Sequence, residues 1–271
     1  MECALSKVAG VPVVELKTVK RYGGSIATAA SDIRGGRWQD LGEDETAEVA
    51  FLPCPPQLIG ATVIELLNLD REGSQVLCAV RNSQAGTKAI NALCQERFTA
   101  GATEVTVWNE EFEQYVRVGL RCGDPVLCTR NMWSIGLQNG SLGVITEVEA
   151  PPRVMRGDDG EAVASVLAWV AWDDGERRPL TAEMLENLEL GYAITVHKAQ
   201  GSQWRRIIVP ISSSRLLDRT LLYTAVTRAQ KQVLLVGDID AAKAAVKAPP
   251  RATERNVGLD LHLARVLKHK G

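Results

Sequence analysis

The 271-residue sequence has few of the residues that build disulfide frameworks or metal sites. Its six cysteines are scattered without a CxxC pair, and it contains only three histidines. This spacing indicates reduced, structural thiols and no metal site. No apolar run approaches the length of a membrane span, and the amino terminus lacks the hydrophobic region of a signal peptide. We therefore expect a cytoplasmic protein without a membrane partner.

A large excess of charge of either sign is also absent. The formal net charge of −2 gives no global attraction to nucleic acid, so any such binding must use a local basic patch. The apolar fraction of 45% and the charged fraction of 24% are those of an ordinary globular protein. The length is sufficient for one or two domains with a hydrophobic core.

The glycine-rich loop GxxxxGK[ST], which holds the phosphates of ATP, is missing as well. None of the 23 glycines is followed by lysine. No Asp-Glu pair follows an apolar strand, where a magnesium site of a nucleotide-driven motor would lie. The sequence therefore gives no reason to expect that this chain alone hydrolyses ATP.

The most informative stretch is 191–204, GYAITVHKAQGSQW. Its β-prone start is followed at once by hydrogen-bonding side chains and a glycine, which predicts a buried strand ending in a functional loop. A second informative segment, LLYTAVTRAQ, occupies 221–230 and is followed by the apolar run 233–236.

These two segments together resemble motifs V and VI of superfamily 1 helicases, closest to the RecD-like branch. The resemblance implies an α/β fold, a RecA-like parallel-sheet domain with an inserted small β-barrel. It places residue 1 just past motif III, so the chain matches only the carboxyl-terminal half and lacks the Walker A and Walker B half. The implied parent activity is ATP-driven translocation along single-stranded DNA in the 5′ to 3′ direction.

Two arginines match catalytic positions of the family. Arg228 matches the arginine finger that reaches ATP held by the other RecA-like domain, and Arg21 matches an arginine that senses the γ-phosphate. The planar guanidinium stays charged and can engage two phosphate oxygens, which suits both roles. The alternatives are a surface ion pair for Arg228 and a solvated side chain for Arg21. Tyr22 departs from the Gln or Ser that the family usually has.

Three further residues match positions near the nucleotide. Gln200 and Gly201 lie in motif V, and Gln203 replaces the glutamate that contacts the ribose in the family. An amide can still accept a hydrogen bond from a hydroxyl, but it carries no charge. This replacement puts nucleotide affinity or selectivity in question.

Residues that match nucleic-acid contacts lie in two loops. Thr195, His197 and Lys198 match motif V positions that touch single-stranded DNA, where donors recognise phosphate without reading sequence. Arg81 and Asn82 follow a predicted strand and resemble motif IVa, whose loop touches the DNA backbone. A packing role for His197 and an ordinary exposed loop at Arg81 and Asn82 are the alternatives.

The pattern of predicted strands, turns and helices divides the chain into four predicted segments. Residues 115–189 show short strands and the hairpin signals Asn139-Gly140 and Asp174-Gly175. In this region we predict a central strand at 166–172 and a polar loop at 151–161. The resulting segments are a first RecA-like part at 1–112, the small barrel at 113–189, a second RecA-like part at 190–245, and a helical tail at 246–271.

Periodicity predicts further elements near both ends of the chain. Residues 8–16 read as a short buried strand, and Ser25 as the N-cap of a helix. The apolar face of that helix consists of Ile26, Ala29, Ala30 and Ile33. We predict an amphipathic helix in the tail, which either docks onto the parent domain or contacts nucleic acid.

Two functions of different class follow from the resemblance. The first is the carboxyl-terminal motor half of an ATP-dependent DNA helicase, which supplies the arginine finger and single-stranded DNA contacts but is inactive as an ATPase alone. ATP and Mg²⁺ would then bind only with an amino-terminal helicase half or another protein subunit. The alternative is a non-catalytic nucleic-acid-binding or scaffold module. Tyr22 and Gln203 favour this alternative, whereas Arg228 and the TVHKAQG loop oppose it.

Overall fold

The structure, a computed structural model, describes residues 24–156 and 162–249. Arg21, Tyr22, the predicted strand at 8–16 and the tail beyond 249 lie outside the described residues. The helices are α1 Gly24–Arg34, α2 Ile59–Leu69, α3 Thr87–Phe98, α4 Arg219–Val226 and α5 Ile239–Lys247. None of these helices is long and apolar enough to cross a bilayer.

Twelve strands and three short 3₁₀ helices, Pro56–Leu58, Trp133–Ile135 and Ala182–Asn187, form the rest of the regular structure in the described part. The first six are β1 Val49–Pro53, β2 Ser74–Cys78, β3 Glu104–Asn109, β4 Gln114–Arg121, β5 Pro125–Cys128 and β6 Leu142–Arg156. The others are β7 Ala162–Trp172, β8 Arg177–Thr181, β9 Leu188–Leu190, β10 Ala193–Thr195, β11 Trp204–Ile211 and β12 Ala229–Gly237.

Five of these strands form one parallel sheet in the order β1-β12-β11-β2-β10. Its central strands are runs of buried aliphatic residues, as expected for a sheet covered on both faces. Helices α1, α4 and α5 pack on one face, and α2 and α3 on the other. The predicted α/β class with a parallel sheet is therefore confirmed.

Helix α1 shows how the sequence pattern determines the packing. Its predicted apolar face is buried in full, because residues spaced by three and four lie on one side of a helix. The predicted N-cap was wrong: the helix begins at Gly24, so Ser25 lies in its first turn. The Ser25 N–H donates to Glu48 Oε2 at 2.9 Å, and this distant carboxylate satisfies the helix end.

The chain between α3 and β10 forms an insert that is entirely β. Five of its strands make an antiparallel sheet in the order β8-β7-β6-β5-β9, and β3 and β4 pair as a separate hairpin. The predicted central strand lies in β7, between β6 and β8. The two predicted hairpin signals lie in the connections between antiparallel neighbours, Asn139-Gly140 between β5 and β6 and Asp174-Gly175 between β7 and β8. Gly140 and Gly175 have positive φ angles. Among the described strands β8 and β9 do not pair, so the sheet is open and closure into a barrel is not shown.

The predicted loop at 151–161 needs correction in its first part. Residues 151–156 continue β6 and pair with β7, with Arg153 opposite Val166. The Arg153 guanidinium lies 5.5 Å from the centre of the Trp169 ring. The polar composition thus reflects outward-facing side chains on a paired strand, not a loop. Residues 157–161 fall outside the described part.

A buried carboxylate in the insert, that of Asp124, binds the end of α3, where the chain enters the insert. Asp124, fully buried, accepts hydrogen bonds at Oδ1 from the Tyr192 hydroxyl and Thr99 Oγ1, both at 2.8 Å. Its Oδ2 accepts from Gln95 Nε2 at 2.6 Å and from the Arg121 N–H at 2.7 Å. Burial raises the pKa of the Tyr192 hydroxyl, which keeps it protonated as a donor. The network joins the insert to α3 and to the residue before β10.

The segment through which the chain returns from the insert to β10 is also held by buried hydrogen bonds. Asn91, on α3, donates to the carbonyls of Leu190 and Ala193 at 2.9 and 3.0 Å and accepts from the Ala193 N–H at 2.7 Å. Gln75, on β2, donates to the Gly191 carbonyl at 3.1 Å. Both crossings between the parallel sheet and the insert are therefore held by hydrogen bonds of buried side chains.

The five cysteines of the described part are free, and they differ in accessibility. Burial raises the pKa of Cys94 to about 12 and that of Cys78 still higher. Because only the thiolate reacts, we expect iodoacetamide at mildly alkaline pH to label the half-buried Cys122 long before Cys78 or Cys94. Mass spectrometry of timed reactions measures this order, and a denatured sample is the control in which all sites should react alike. Equal labelling of Cys94 and Cys122 in the folded protein would contradict the burial.

Candidate functional site

The predicted motif V residues lie in a loop, 196–203, that joins β10 to β11. The loop starts at the carboxyl end of β10 and returns to the amino end of β11. Val196 and Ala199 are buried and anchor it in the core, and the Val196 N–H donates to the Cys78 carbonyl at 3.1 Å. Gly201 has a φ of +98°, a conformation that favours glycine. Because the apolar side chains point inward, the polar ones between them face outward.

Lys198 connects this loop to the insert. Its ammonium donates to the Thr129 carbonyl at 3.3 Å and to Asn139 Oδ1. An ammonium has three N–H donors, so one remains for a further acceptor such as a phosphate oxygen. The positive charge of Lys198 also lowers the pKa of the Cys128 thiol, although burial raises that pKa by more.

The other predicted strand contacts on this loop are accessible. His197 is exposed, and Thr195 and Lys198 are half-buried. Thr195 ends β10 beside Cys78, the last residue of β2. The carboxyl ends of parallel strands are where folds of this class bind ligands. The structure therefore places these residues on an accessible edge of the sheet.

Arg81 and Asn82 lie at the same edge, just past β2. Both are exposed. Arg81 Nη2 lies 2.7 Å from Glu189 Oε1, and the two side chains are 51% and 40% exposed. An ion pair this exposed contributes at most about 1 kcal/mol. A phosphate could therefore replace the carboxylate as the partner of Arg81 at little cost.

Arg228 lies at the opposite, amino-terminal edge of the sheet. Asp218 caps α4 by accepting from the Leu221 N–H at 2.8 Å. The predicted position of Arg228 on this helix was slightly wrong, because α4 ends at Val226 and Arg228 directly precedes β12. Its guanidinium donates to the Thr224 carbonyl at 3.2 Å and to the Ser202 carbonyl at 3.4 Å.

The predicted nucleotide contacts lie on the part of the loop that approaches Arg228, and they differ in exposure. Gln200 and Gly201 are exposed, whereas Gln203 is half-buried. The Nε2 atom of Gln203 is buried and has no hydrogen-bond partner among the described residues. A buried amide N–H that lacks a partner costs about 1–3 kcal/mol.

The structure thus arranges the described site residues in two groups at opposite edges of the sheet. Arg81, Asn82 and the residues 195–198 form one group, and Gln203 with Arg228 forms the other. The loop 196–203 connects them. Asn139 and Glu189, the partners of Lys198 and Arg81, were not predicted from the sequence. The local pattern at Asn139 indicates only a turn, and no local pattern indicates either long-range contact.

Two cavities lie elsewhere in the described part. One, of about 380 Å³, separates the amino end of the parallel sheet from the insert and is lined by Gln75, Trp172 and Trp204, among others. The other, of about 700 Å³, lies in the insert beside Trp133. None of the described site residues lines either cavity. The candidate site therefore lies outside both cavities.

Comparison with known proteins identifies similar chains. Residues 190–236 match the UvrD-like helicase C-terminal domain. The chain is 30% identical over 270 residues to the RecBCD enzyme subunit RecD of Mycolicibacterium smegmatis, covering 91% of this chain and 43% of that protein. It is 32% identical over 197 residues to the ATP-dependent RecD2 DNA helicase of Deinococcus radiodurans, covering 72% of this chain and 24% of that protein. The chain thus spans less than half of the length of these relatives.

A solved structure shares the fold. The crystal structure of the Pif1 helicase from Bacteroides in complex with ADP-AlF3 and ssDNA aligns with a TM-score of 0.51 and 20% identity. The alignment covers 95% of this chain and 57% of that chain. The family match at 190–236 contains the loop 196–203 and Arg228, so the similarity includes both edges of the candidate site.

Proposed function

Because the chain belongs to the RecD-like family of superfamily 1 helicases and corresponds to their carboxyl-terminal half, we propose that it supplies half of an ATP-dependent DNA motor. In this proposal Arg228 is the arginine finger, and Arg81, Asn82, Thr195, His197 and Lys198 bind single-stranded DNA. Gln200, Gly201 and Gln203 lie beside the nucleotide, and Arg21 senses its γ-phosphate.

The observation that carries the proposal is the path of the loop 196–203. At one end it presents His197 and Lys198 at the carboxyl edge of the sheet. At the other end the Ser202 carbonyl accepts from the Arg228 guanidinium at 3.4 Å. A shift of the loop on strand binding would therefore move a contact of Arg228 directly. Such a connection is what coupling of strand movement to phosphate chemistry requires.

Arg228 suits the chemistry of phosphoryl transfer. That reaction needs little covalent help from a protein and depends on cations placed around the γ-phosphate. A guanidinium stays protonated and can bridge two phosphate oxygens. The hydrogen bonds from Arg228 to the carbonyls of Thr224 and Ser202 orient the side chain before any nucleotide arrives.

The remaining half of the ATP site would come from outside this sequence. We propose that ATP and Mg²⁺ bind only when an amino-terminal helicase half supplies the phosphate loop and the magnesium carboxylates, and that this chain alone is inactive as an ATPase. The Mycolicibacterium smegmatis relative is named as a subunit of the RecBCD enzyme, so we extend the proposal to a partner subunit as a source of further contacts.

We also propose the division of the chain into RecA-like parts at 1–112 and 190–245, a small barrel-like insert at 113–189 and a tail at 246–271. The insert would be the counterpart of the small barrel of RecD-like helicases. The limit at 112 falls in the turn of the β3–β4 hairpin, and the limit at 246 falls near the end of α5. Assigning the whole hairpin to the insert fits the strand pairing better.

Single-stranded DNA binding tests the strand-contact part of the proposal. We expect the His197→Ala/Lys198→Ala variant to lose most of the affinity of the parent chain, because two phosphate donors are removed. Fluorescence anisotropy with a labelled oligonucleotide over a salt series measures this. The slope of log K against log salt should fall by roughly 0.7 for each phosphate that the variant no longer binds.

Lys247→Ala is the matched control for this experiment. Lys247 is an exposed lysine at the end of α5, and its removal changes net charge without touching the proposed surface. A thermal melt of each variant checks that removal of the Lys198 hydrogen bonds to the insert has not unfolded the chain. If the double variant binds as tightly as the Lys247→Ala chain, the loop 196–203 is not a strand-binding surface.

The alternative, a non-catalytic nucleic-acid-binding or scaffold module, draws support from Gln203. Its amide nitrogen is buried and has no partner among the described residues, so this nitrogen is not presented to a nucleotide. Under this alternative, the chain would bind single-stranded DNA but give no ATPase with any amino-terminal half.

A further inference from the structure

Trp133 is the most exposed large apolar side chain of the described part, with 71% of its surface accessible. It lies on the short turn Trp133–Ile135 between β5 and β6. Its neighbours Met132 and Ile135 pack against the core of the insert, whereas Trp133 belongs to none of the buried clusters. The turn is thus anchored by the residues on either side and presents the indole to solvent.

The segment that bears Trp133 has a defined conformation. The backbones of Met132 and Leu137 are hydrogen-bonded to each other at 2.8 and 3.1 Å, and Gly136 closes the turn with a φ of +73°. The Asn139 N–H donates to Asn131 Oδ1 at 2.8 Å. A side chain presented by such a closed turn loses little conformational freedom when it binds a ligand.

This segment is also tied to the proposed strand-binding loop. Lys198 donates to the Thr129 carbonyl and to Asn139 Oδ1, which lie on either side of the Trp133 turn. Thr129 and Trp133 are four residues apart, so at most roughly 14 Å of chain separates them. Trp133 is therefore close enough to Lys198 for one oligonucleotide to contact both residues.

The charges around Trp133 fit a base better than a phosphate. The adjoining cavity of about 700 Å³ is lined by one arginine, Arg178, and one carboxylate, Glu183. Asp174 already pairs with Arg178 at 2.8 Å. Arg130, three residues before Trp133, adds an exposed positive charge to the same segment. The arginine beside Trp133 is thus already paired with a carboxylate, whereas Lys198 donates to the Thr129 carbonyl, directly before Arg130.

We propose that Trp133 stacks on a base of single-stranded nucleic acid whose phosphate is bound at Lys198, an inference that rests on the proposed function of the loop 196–203. An indole face accepts any base, so the contact adds affinity without reading sequence. The insert would then contribute directly to strand binding, in addition to supporting the motif V loop.

The second exposed tryptophan of the insert provides a contrast. Trp108, 50% exposed, packs edge-on against Tyr115 on the β3–β4 hairpin. The turn of that hairpin contains Glu110, Glu111 and Glu113. These carboxylates repel phosphate, so Trp108 is an exposed tryptophan in the same insert that is unsuited to nucleic acid. It is therefore a matched control.

The test compares two labelled strands of equal length, an oligothymidylate and its abasic counterpart, by fluorescence anisotropy with the full chain. We expect Trp133→Ala to weaken binding of the oligothymidylate by about 5- to 150-fold, the range for removal of one aromatic–base stack. Binding of the abasic strand and the salt slope should not change. Trp133→Phe should restore much of the affinity, and Trp108→Ala should have no effect.

Each outcome distinguishes the inference from the function on which it rests. If Lys198→Ala weakens binding of both strands but Trp133→Ala weakens neither, the strand surface stands and stacking by Trp133 is wrong. Equal weakening of both strands by Trp133→Ala would also overturn stacking, because an abasic strand has no base to stack. If the parent chain binds neither strand at low salt, the strand-binding function itself fails, and the inference fails with it.

Discussion

Replacing Arg228 by alanine is expected to lower the rate of ATP hydrolysis by about 10³-fold or more once the chain is joined to an amino-terminal helicase half. The reason is the removal of a fixed positive charge at the γ-phosphate, where most of the transition-state stabilisation of such reactions arises. The experiment uses a fusion of this chain to the part of the Mycolicibacterium smegmatis relative that precedes the aligned region, with kcat measured by a coupled ATPase assay.

Two further variants test whether the loss of ATPase activity is specific to the guanidinium of Arg228. Arg228→Lys keeps the charge but loses the planar fork, so it should recover only part of the rate. Arg205→Ala removes an arginine that is 64% exposed at the start of β11, and we expect parental activity from it. Single-stranded DNA binding and the melting temperature should be similar in all three. An Arg228→Ala fusion that hydrolyses ATP at the parental rate would exclude the finger role, and a parent fusion without ATPase would favour the scaffold alternative.

The Asp124→Ala substitution is expected to reduce the free energy of unfolding by about 3–5 kcal/mol. It leaves four donors without their acceptor in a region closed to water: the Tyr192 hydroxyl, Thr99 Oγ1, Gln95 Nε2 and the Arg121 N–H. Urea denaturation followed by circular dichroism measures the change. Because the network joins the insert to α3, we also expect β-strand signals of the insert to be lost first.

The control for this substitution is Asp40→Ala, which removes an exposed carboxylate in the segment between α1 and β1. It should change the free energy of unfolding by less than about 0.5 kcal/mol. Asp124→Asn should be intermediate, since the amide keeps one acceptor but turns an NH₂ group toward two of the donors. Identical urea midpoints for Asp124→Ala and Asp40→Ala would show that the buried network does not hold the insert in place.

The parts of the fold that were predictable from sequence are those with a local pattern. The face of α1 follows from residues spaced by three and four, and the central strand in β7 follows from an apolar run. The two hairpin signals work because glycine permits the positive φ of the turns at Gly140 and Gly175. In each case a few neighbouring residues contain all of the information.

The features that were not predictable depend on residues far apart in sequence. The first turn of α1 is capped by the distant Glu48 and not by Ser25. Asp124 accepts hydrogen bonds from α3 and from Tyr192. The segment 151–156 is a strand because β7 pairs with it, although its own composition is polar. For the candidate site, motif resemblance identified the loop 196–203 and Arg228, but the contacts of Lys198 to the insert required the three-dimensional arrangement.

The chain leaves the parallel sheet and returns to it at nearly the same point. The Gly191 N–H donates to the Pro125 carbonyl at 2.8 Å, and the Tyr192 hydroxyl meets Asp124. The ends of residues 125–190 are therefore adjacent, so a short turn could close the gap if that segment were removed. We therefore expect that this part of the insert can change in length without altering the path of the parallel sheet or the position of Arg228.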